Sequence, residues 1–161
     1  MANNEITIKM TEIAVGHNNL VIKTGSLGSC VAIILYDKEN KIGGMAHAML
    51  PSWKEHNRDG AVDTDISVGK FVDTAIDNMI REIKKEGGEK QNLRAKLVGG
   101  SKMFKILSGD DHGVGFRNVE SAENHLKMLN IPIDGEDTGG TIGRSAEFDL
   151  ATGLVSVNTK M

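Results

Sequence analysis

The stretch TGSLGSCVAIILYD (residues 24–37) sets the chain's single cysteine, Cys30, between a glycine- and serine-rich approach and a nearly continuous β-branched and apolar run. From Val31 onward the run reads as a strand buried on both faces, because a half-exposed strand would alternate polar and apolar residues. Residues 37–40, DKEN, form a polar turn, and KIGGMAHAML (41–50) supplies a second apolar run. An antiparallel hairpin is the economical reading. Pairing about the middle of 37–40 sets position 30 opposite position 47, to within a residue or two, and Gly43–Gly44 is a place for a bulge.

Working outward, EITIKM (5–10) alternates through Ile6 and Ile8, EIAVG (12–16) continues that habit, and both read as strands. Residues 51–64 are polar, start with Pro51, carry the one Trp and read as an exposed loop. Ile66, Val68, Val72, Ala75, Ile76, Met79, Ile80 and Ile83 then share one helical face. Asp63, Thr64 and Asp65 are capping candidates for that helix, and Gly87–Gly88 stop it. AKLVGG (95–100) is a short buried strand ending in a glycine turn, and a second helix follows at about 118–129 with Asn118 as its cap. Ala146, Phe148 and Leu150 alternate, residues 151–153 turn, and Leu154, Val155 and Val157 resume, which is a hairpin pattern. Strands at both ends with two main helices between them predict an α+β fold with mixed, largely antiparallel sheets, in one domain spanning 1–161.

With 19 basic against 22 acidic residues, the formal net charge of -3 argues against a binder of nucleic acid. One cysteine makes no internal disulfide and suits a reducing cytosol. The opening MANNEITIKM is not a secretory signal, and VAIILY is far short of a membrane span, so a cytoplasmic protein without membrane insertion is expected.

Cys30 and His47 are the candidate pair for chemistry. An imidazole close to a thiol shifts it toward thiolate and later protonates a leaving group. Gly25 and Gly28 let the backbone approach a substrate, N–H groups around Ser29 and Cys30 suit an oxyanion, and Thr24 is placed to hold the other ring nitrogen. Against this stands the plainer account of a buried structural cysteine and a satisfied strand histidine. VGGSKMF (98–104) lacks the ending of a phosphate-binding loop and reads as a turn before a short helix. DDH (110–112) and DGED (134–137) read as solvated loops without metal-ligand spacing, and Arg144 as a surface or strand-end residue. No metal or cofactor is expected.

Taken in order, TGSLGSCVAIILYD, GGMAHAMLP, GKFVDTAI, AKLVGGSKMF, VGFRNVE and IDGEDTGGTIGRSAEFDLATGLVSV resemble the CheD family of chemotaxis proteins, the chemoreceptor glutamine deamidases, from about residue 10 to 157. The resemblance implies an α+β fold shared with other cysteine hydrolases and hydrolysis of selected glutamine side chains on methyl-accepting chemoreceptors, giving glutamate and ammonia through a thioester. It implies catalytic roles for Cys30, His47 and Thr24, while the placing of Gly28 and Ser29 near the substrate oxygen rests on the glycine-rich approach itself. It also implies binding to a CheC-type phosphatase, whose stimulation is the alternative to a main role in deamidation; a monomer is expected. One departure is VGFRN (114–118), where Phe116 replaces the family's usual acid.

Overall fold

The computed structural model describes residues 4–56, 68–102 and 113–160. In chain order the elements are β1 (Asn4–Ile8), β2 (Ile13–His17), β3 (Leu20–Leu27), β4 (Val31–Asp37), β5 (Ile42–Ala48), α1 (Trp53–His56), α2 (Val72–Lys85), β6 (Leu93–Gly99), α3 (Gly113–Met128), β7 (Ile133–Thr138), β8 (Gly143–Asp149) and β9 (Leu154–Lys160). Two sheets form, one ordered β1-β3-β8-β9 and the other β2-β5-β4-β6-β7. The β1–β3 and β6–β7 pairs are parallel and the rest antiparallel, so the α+β architecture with mixed, largely antiparallel sheets is as expected.

Three layers follow from which faces are apolar. Ile22, Leu27 and Phe148 of the first sheet pack against Ala32, Ile34, Met45 and Val98 of the second. On its other face the second sheet meets α2 and α3 through Val31, Ile33, Leu35, Ile76, Met79 and Leu126. β4 therefore contributes alternate residues to both apolar layers, which is why its sequence shows no polar alternation.

The β4–β5 hairpin forms, but Ala32 stands opposite His47 and Asp37 opposite Ile42, two positions from the expected register. Asp37 sets this. Its carboxylate accepts from the Asn40 N–H (3.1 Å), Asn40 Nδ2 (2.8 Å) and the Glu89 N–H (2.9 Å), so Asp37 ends the strand and residues 38–41 turn. No bulge occurs at Gly43–Gly44, where pairing with Tyr36 and Leu35 is continuous; register shifts lie instead between Thr24 and Leu27 and between Ala95 and Lys96. The glycine- and serine-rich approach to Cys30 thus includes the end of β3, where Ser26 takes a left-handed φ of 55°.

Helix α2 buries Val72, Ala75, Ile76, Met79, Ile80 and Ile83 as expected, but it starts at Val72. The backbone just before it is already engaged: Leu50 bridges Phe71, and the Val72 N–H donates to the Leu50 carbonyl at 2.9 Å. Val68 is exposed in a turn, and the capping candidates at 63–65 lie outside the described residues. Helix α3 begins at Gly113, so Asn118 is not its cap but a fully buried residue within it. Asp134–Asp137, read as a loop, belong to strand β7, and residues 53–56 of the supposed loop at 51–64 form α1. Residues 57–64, the later part of VGGSKMF and DDH (110–112) lie outside the described residues.

Candidate functional site

Two-residue periodicity explains why the register shift leaves the Cys30–His47 pair intact. Moving a strand by two positions keeps every side chain on its face, whereas a shift of one would have sent His47 to the helix layer. Cys30, just before β4, and Ala32 and Met45 all belong to the layer between the sheets, and His47 is two residues beyond Met45 on β5. Cys30 is thus the diagonal neighbour of His47, a relationship that in an antiparallel pair spans about 7–8 Å between backbones. Cys30 is 6% exposed and His47 2%.

Thr24 reaches His47 from the other sheet. Its Oγ1 lies 2.6 Å from His47 Nδ1 and donates to the Ile8 carbonyl at 2.8 Å. A hydroxyl has one hydrogen, and this one is committed to Ile8. The Nδ1–H must therefore donate to Thr24, which leaves Nε2 as the bare, basic nitrogen. Nε2 is buried and makes no hydrogen bond among the described residues, to Cys30 or to any other group. Burial pushes the Cys30 thiol above its ordinary pKa and the His47 imidazole below its own. Both directions disfavour the charged forms, opposite to the shift of the thiol toward thiolate expected from the sequence, because burial acts where no hydrogen bond joins His47 Nε2 to the sulfur.

The loop carrying the sulfur is held by its carbonyls. The Gly28 carbonyl accepts from the Ser101 N–H (2.9 Å) and hydroxyl (2.8 Å), the Ser29 carbonyl from Asn118 Nδ2 (2.8 Å), and the Cys30 carbonyl from the Gly100 N–H (2.8 Å). The Gly28 N–H turns to the Ser26 carbonyl at 3.2 Å, while those of Ser29 and Cys30 find no backbone acceptor among the described residues. Close packing keeps this frame in place. A Cβ on Gly115 of α3 would fall on the Ser101 carbonyl oxygen and lie 2.7 Å from Gly100 C, so the helix touches the loop backbone only because a side chain is missing there.

Arg144 is not at the surface. It is 8% exposed, its Nε donating to Asp137 at 3.1 Å and Nη1 to the Gly99 carbonyl at 3.4 Å, and so it ties β8 to the end of β6. Phe116 is exposed. Reading the sequence for a helix cap misassigned Asn118, whose signal lay instead in the VGFRN block; nothing in local pattern pointed to the Ile8 carbonyl or to Ser101.

The family described as "CheD chemotactic sensory transduction" matches residues 49–159. A Pyrococcus abyssi protein named probable chemoreceptor glutamine deamidase CheD is 41% identical over 151 residues, covering 94% of this chain and 89% of its own length. The Geobacillus kaustophilus protein of the same name is 40% identical over 157 residues, covering 96% and 91%. The Bacillus licheniformis chemoreceptor glutamine deamidase CheD is 42% identical over 139 residues, covering 86% and 80%.

Proposed function

Because the chain belongs to the CheD family and is a chemoreceptor glutamine deamidase, we propose that Cys30 is its nucleophile, His47 its general base and acid, and Thr24 the group that holds the imidazole in the working tautomer. The observation that carries this assignment is the Thr24–His47 hydrogen bond at 2.6 Å, with the hydroxyl hydrogen committed to Ile8. It leaves Nε2 free to take a proton, in the same inter-sheet layer as the one thiol of the chain.

His47 Nε2 removes the thiol proton as sulfur attacks the side-chain carbonyl carbon of a receptor glutamine. The carbonyl electron pair moves to oxygen, where the N–H groups of Cys30 and Ser29, beside Gly28, receive it. As the tetrahedral intermediate collapses, the C–N bond breaks and the imidazolium gives its proton to nitrogen, releasing ammonia and leaving a thioester. Water then gives a proton to Nε2 and attacks the same carbon. The C–S bond breaks, sulfur recovers its proton, and glutamate leaves. One water is consumed and one ammonia released.

Burial that raises the thiol and lowers the imidazole fits this sequence, since it favours proton transfer only once a substrate is seated to receive the sulfur. Incubating receptor cytoplasmic fragment with wild-type protein and Cys30→Ala, then reading glutamine-to-glutamate conversion by mass spectrometry, tests the assignment. Conversion is expected only with the wild type, and equal conversion by both overturns it.

The same proposal places a single-domain monomer in the cytoplasm, working on the receptors' cytoplasmic domains; no described helix is long and apolar enough to cross a membrane. A CheC-type phosphatase as partner rests on the family resemblance. Co-sedimentation of Cys30→Ala with such a phosphatase checks partner and mass together, since the substitution leaves the surface unchanged.

A further inference from the structure

Asn118 is wholly buried in the middle of α3, where an apolar side chain would meet the helix's packing needs at no polar cost. Its amide instead spans two chain segments. Nδ2 donates to the Ser29 carbonyl at 2.8 Å and to the Met49 carbonyl at 3.2 Å. Ser29 immediately precedes Cys30, and Met49 is two residues beyond His47.

The geometry points to Asn118 as a positioning residue for the deamidation: it sets the Ser29–Cys30 peptide so that the nucleophile's own N–H is presented to the substrate oxygen, and it ties that peptide to the strand bearing His47. This rests on the assignment of Cys30 as the nucleophile. The Ser29 carbonyl and the Cys30 N–H belong to one planar trans peptide and point in opposite directions. Holding the oxygen toward α3 therefore turns the Cys30 N–H away from α3, and α3 packs on the opposite face of the second sheet from the layer that contains the Cys30 side chain. The Gly28 and Cys30 carbonyls are held by Ser101 and Gly100, so the Ser29–Cys30 peptide is the one unit of this turn whose orientation depends on a side chain alone.

Asn118→Asp keeps the size and removes every donor once its carboxyl is ionised, so it is assayed at the alkaline end of the activity range, and Asn118→Leu removes all polarity. Met79→Ala, a cavity under α2 away from the site, serves as a comparator of lowered stability. On receptor cytoplasmic fragment, both Asn118 variants are expected to lose about 10- to 100-fold in kcat, somewhat less than the loss of an entire oxyanion donor, with KM within about twofold of wild type. Alkylation of Cys30 by iodoacetamide needs the sulfur but no oxyanion site, and is expected to stay within about threefold. A folded Asn118 variant with wild-type kcat overturns the inference. So does a fall in kcat matched by an equal fall in alkylation, or one no larger than that of Met79→Ala at the same distance below its melting temperature. Should Asn118→Leu fail to fold, Asn118→Asp decides alone. Cys30→Ala run alongside separates the two failures, because deamidation surviving in that variant overturns the nucleophile assignment itself.

Discussion

Thr24 and His47 lie in different sheets and 23 positions apart, yet their side chains meet at 2.6 Å, and the second bond of the threonine, to Ile8, determines which imidazole nitrogen is basic. A relay that ends on a backbone carbonyl carries no charge, so nothing in it stabilises an imidazolium strongly. His47 is thereby kept neutral until the chemistry demands a proton.

Replacing Thr24 by Val removes the acceptor for Nδ1–H while keeping the shape of the side chain. Deamidation is expected to fall at least about 10-fold, bounded by the 10²–10⁴ associated with losing a general base. Thr24→Ser, which restores the hydroxyl, should recover most of the rate. Steady-state kinetics on receptor fragment measures both, and a Val variant as active as the Ser variant would show that the hydroxyl does not select the tautomer.

The pH dependence follows from burial acting on both partners. Because burial lowers the His47 pKa, the base stays neutral past the ordinary value of about 6.5, and kcat/KM should hold as pH falls through that point and decline only below it. Burial raises the thiol, so the apparent pKa for alkylation of the free enzyme should exceed the ordinary value of about 8.5. A value below 8.5 would show a preformed thiolate–imidazolium pair.

His47 also links stability to pH. Its pKa is lower folded than unfolded, so the unfolded chain binds more protons below about 6.5. Its contribution is complete above that pH and is lost progressively as pH falls. In His47→Gln the melting temperature should decline less between pH 7 and pH 5 than in wild type, which differential scanning fluorimetry measures.

Asp37 makes the hairpin register a testable cause. Burial disfavours its charge, but donors from Asn40, the Glu89 N–H and Asn92 outweigh this and hold the carboxyl below its ordinary pKa. Asn in its place offers one acceptor oxygen for those donors, and a loss of about 2–3 kcal/mol is expected by denaturant titration. The wild-type advantage is present above about pH 4 and vanishes as pH falls through the lowered folded pKa.

Gly115→Ala tests the packing of α3 on the loop that frames Cys30. The added methyl group meets backbone on both Ser101 and Gly100, which cannot rotate away as a side chain would. A loss of about 1–3 kcal/mol together with a several-fold drop in kcat is expected. Unchanged melting and kinetics would show that the loop yields without cost.

How much of this was legible in the chain divides along a physical line. The run from Val31 to Asp37 told of a strand covered on both sides, and the polar break after it told of a hairpin, because burial and turn chemistry act between neighbours in sequence. The register, read to within a residue or two, came out two positions away, and the two-residue period of a strand kept Cys30 and His47 on one face only because that offset is even. Asn118 was misread for the converse reason. A polar residue ahead of an apolar helical stripe looks like a cap, and only the arrival of the Ser29 and Met49 carbonyls makes it a buried clamp. The sequence pointed to Thr24, Cys30 and His47 and to Thr24 as the holder of the imidazole, but not to the Ile8 carbonyl that takes the threonine's own hydrogen.

By itself, then, the sequence determined the strand-helix-strand order and the two-sided burial of β4, since each depends on spacing along one segment. The tertiary structure decided the rest. The common face of thiol and imidazole, the direction of the Thr24 hydrogen, the bare Nε2, the burial that disfavours charge on the pair and the hold of Asn118 on Ser29 all depend on groups from separate strands, sheets and layers, and their separation is set by how the core packs and not by their spacing in the chain.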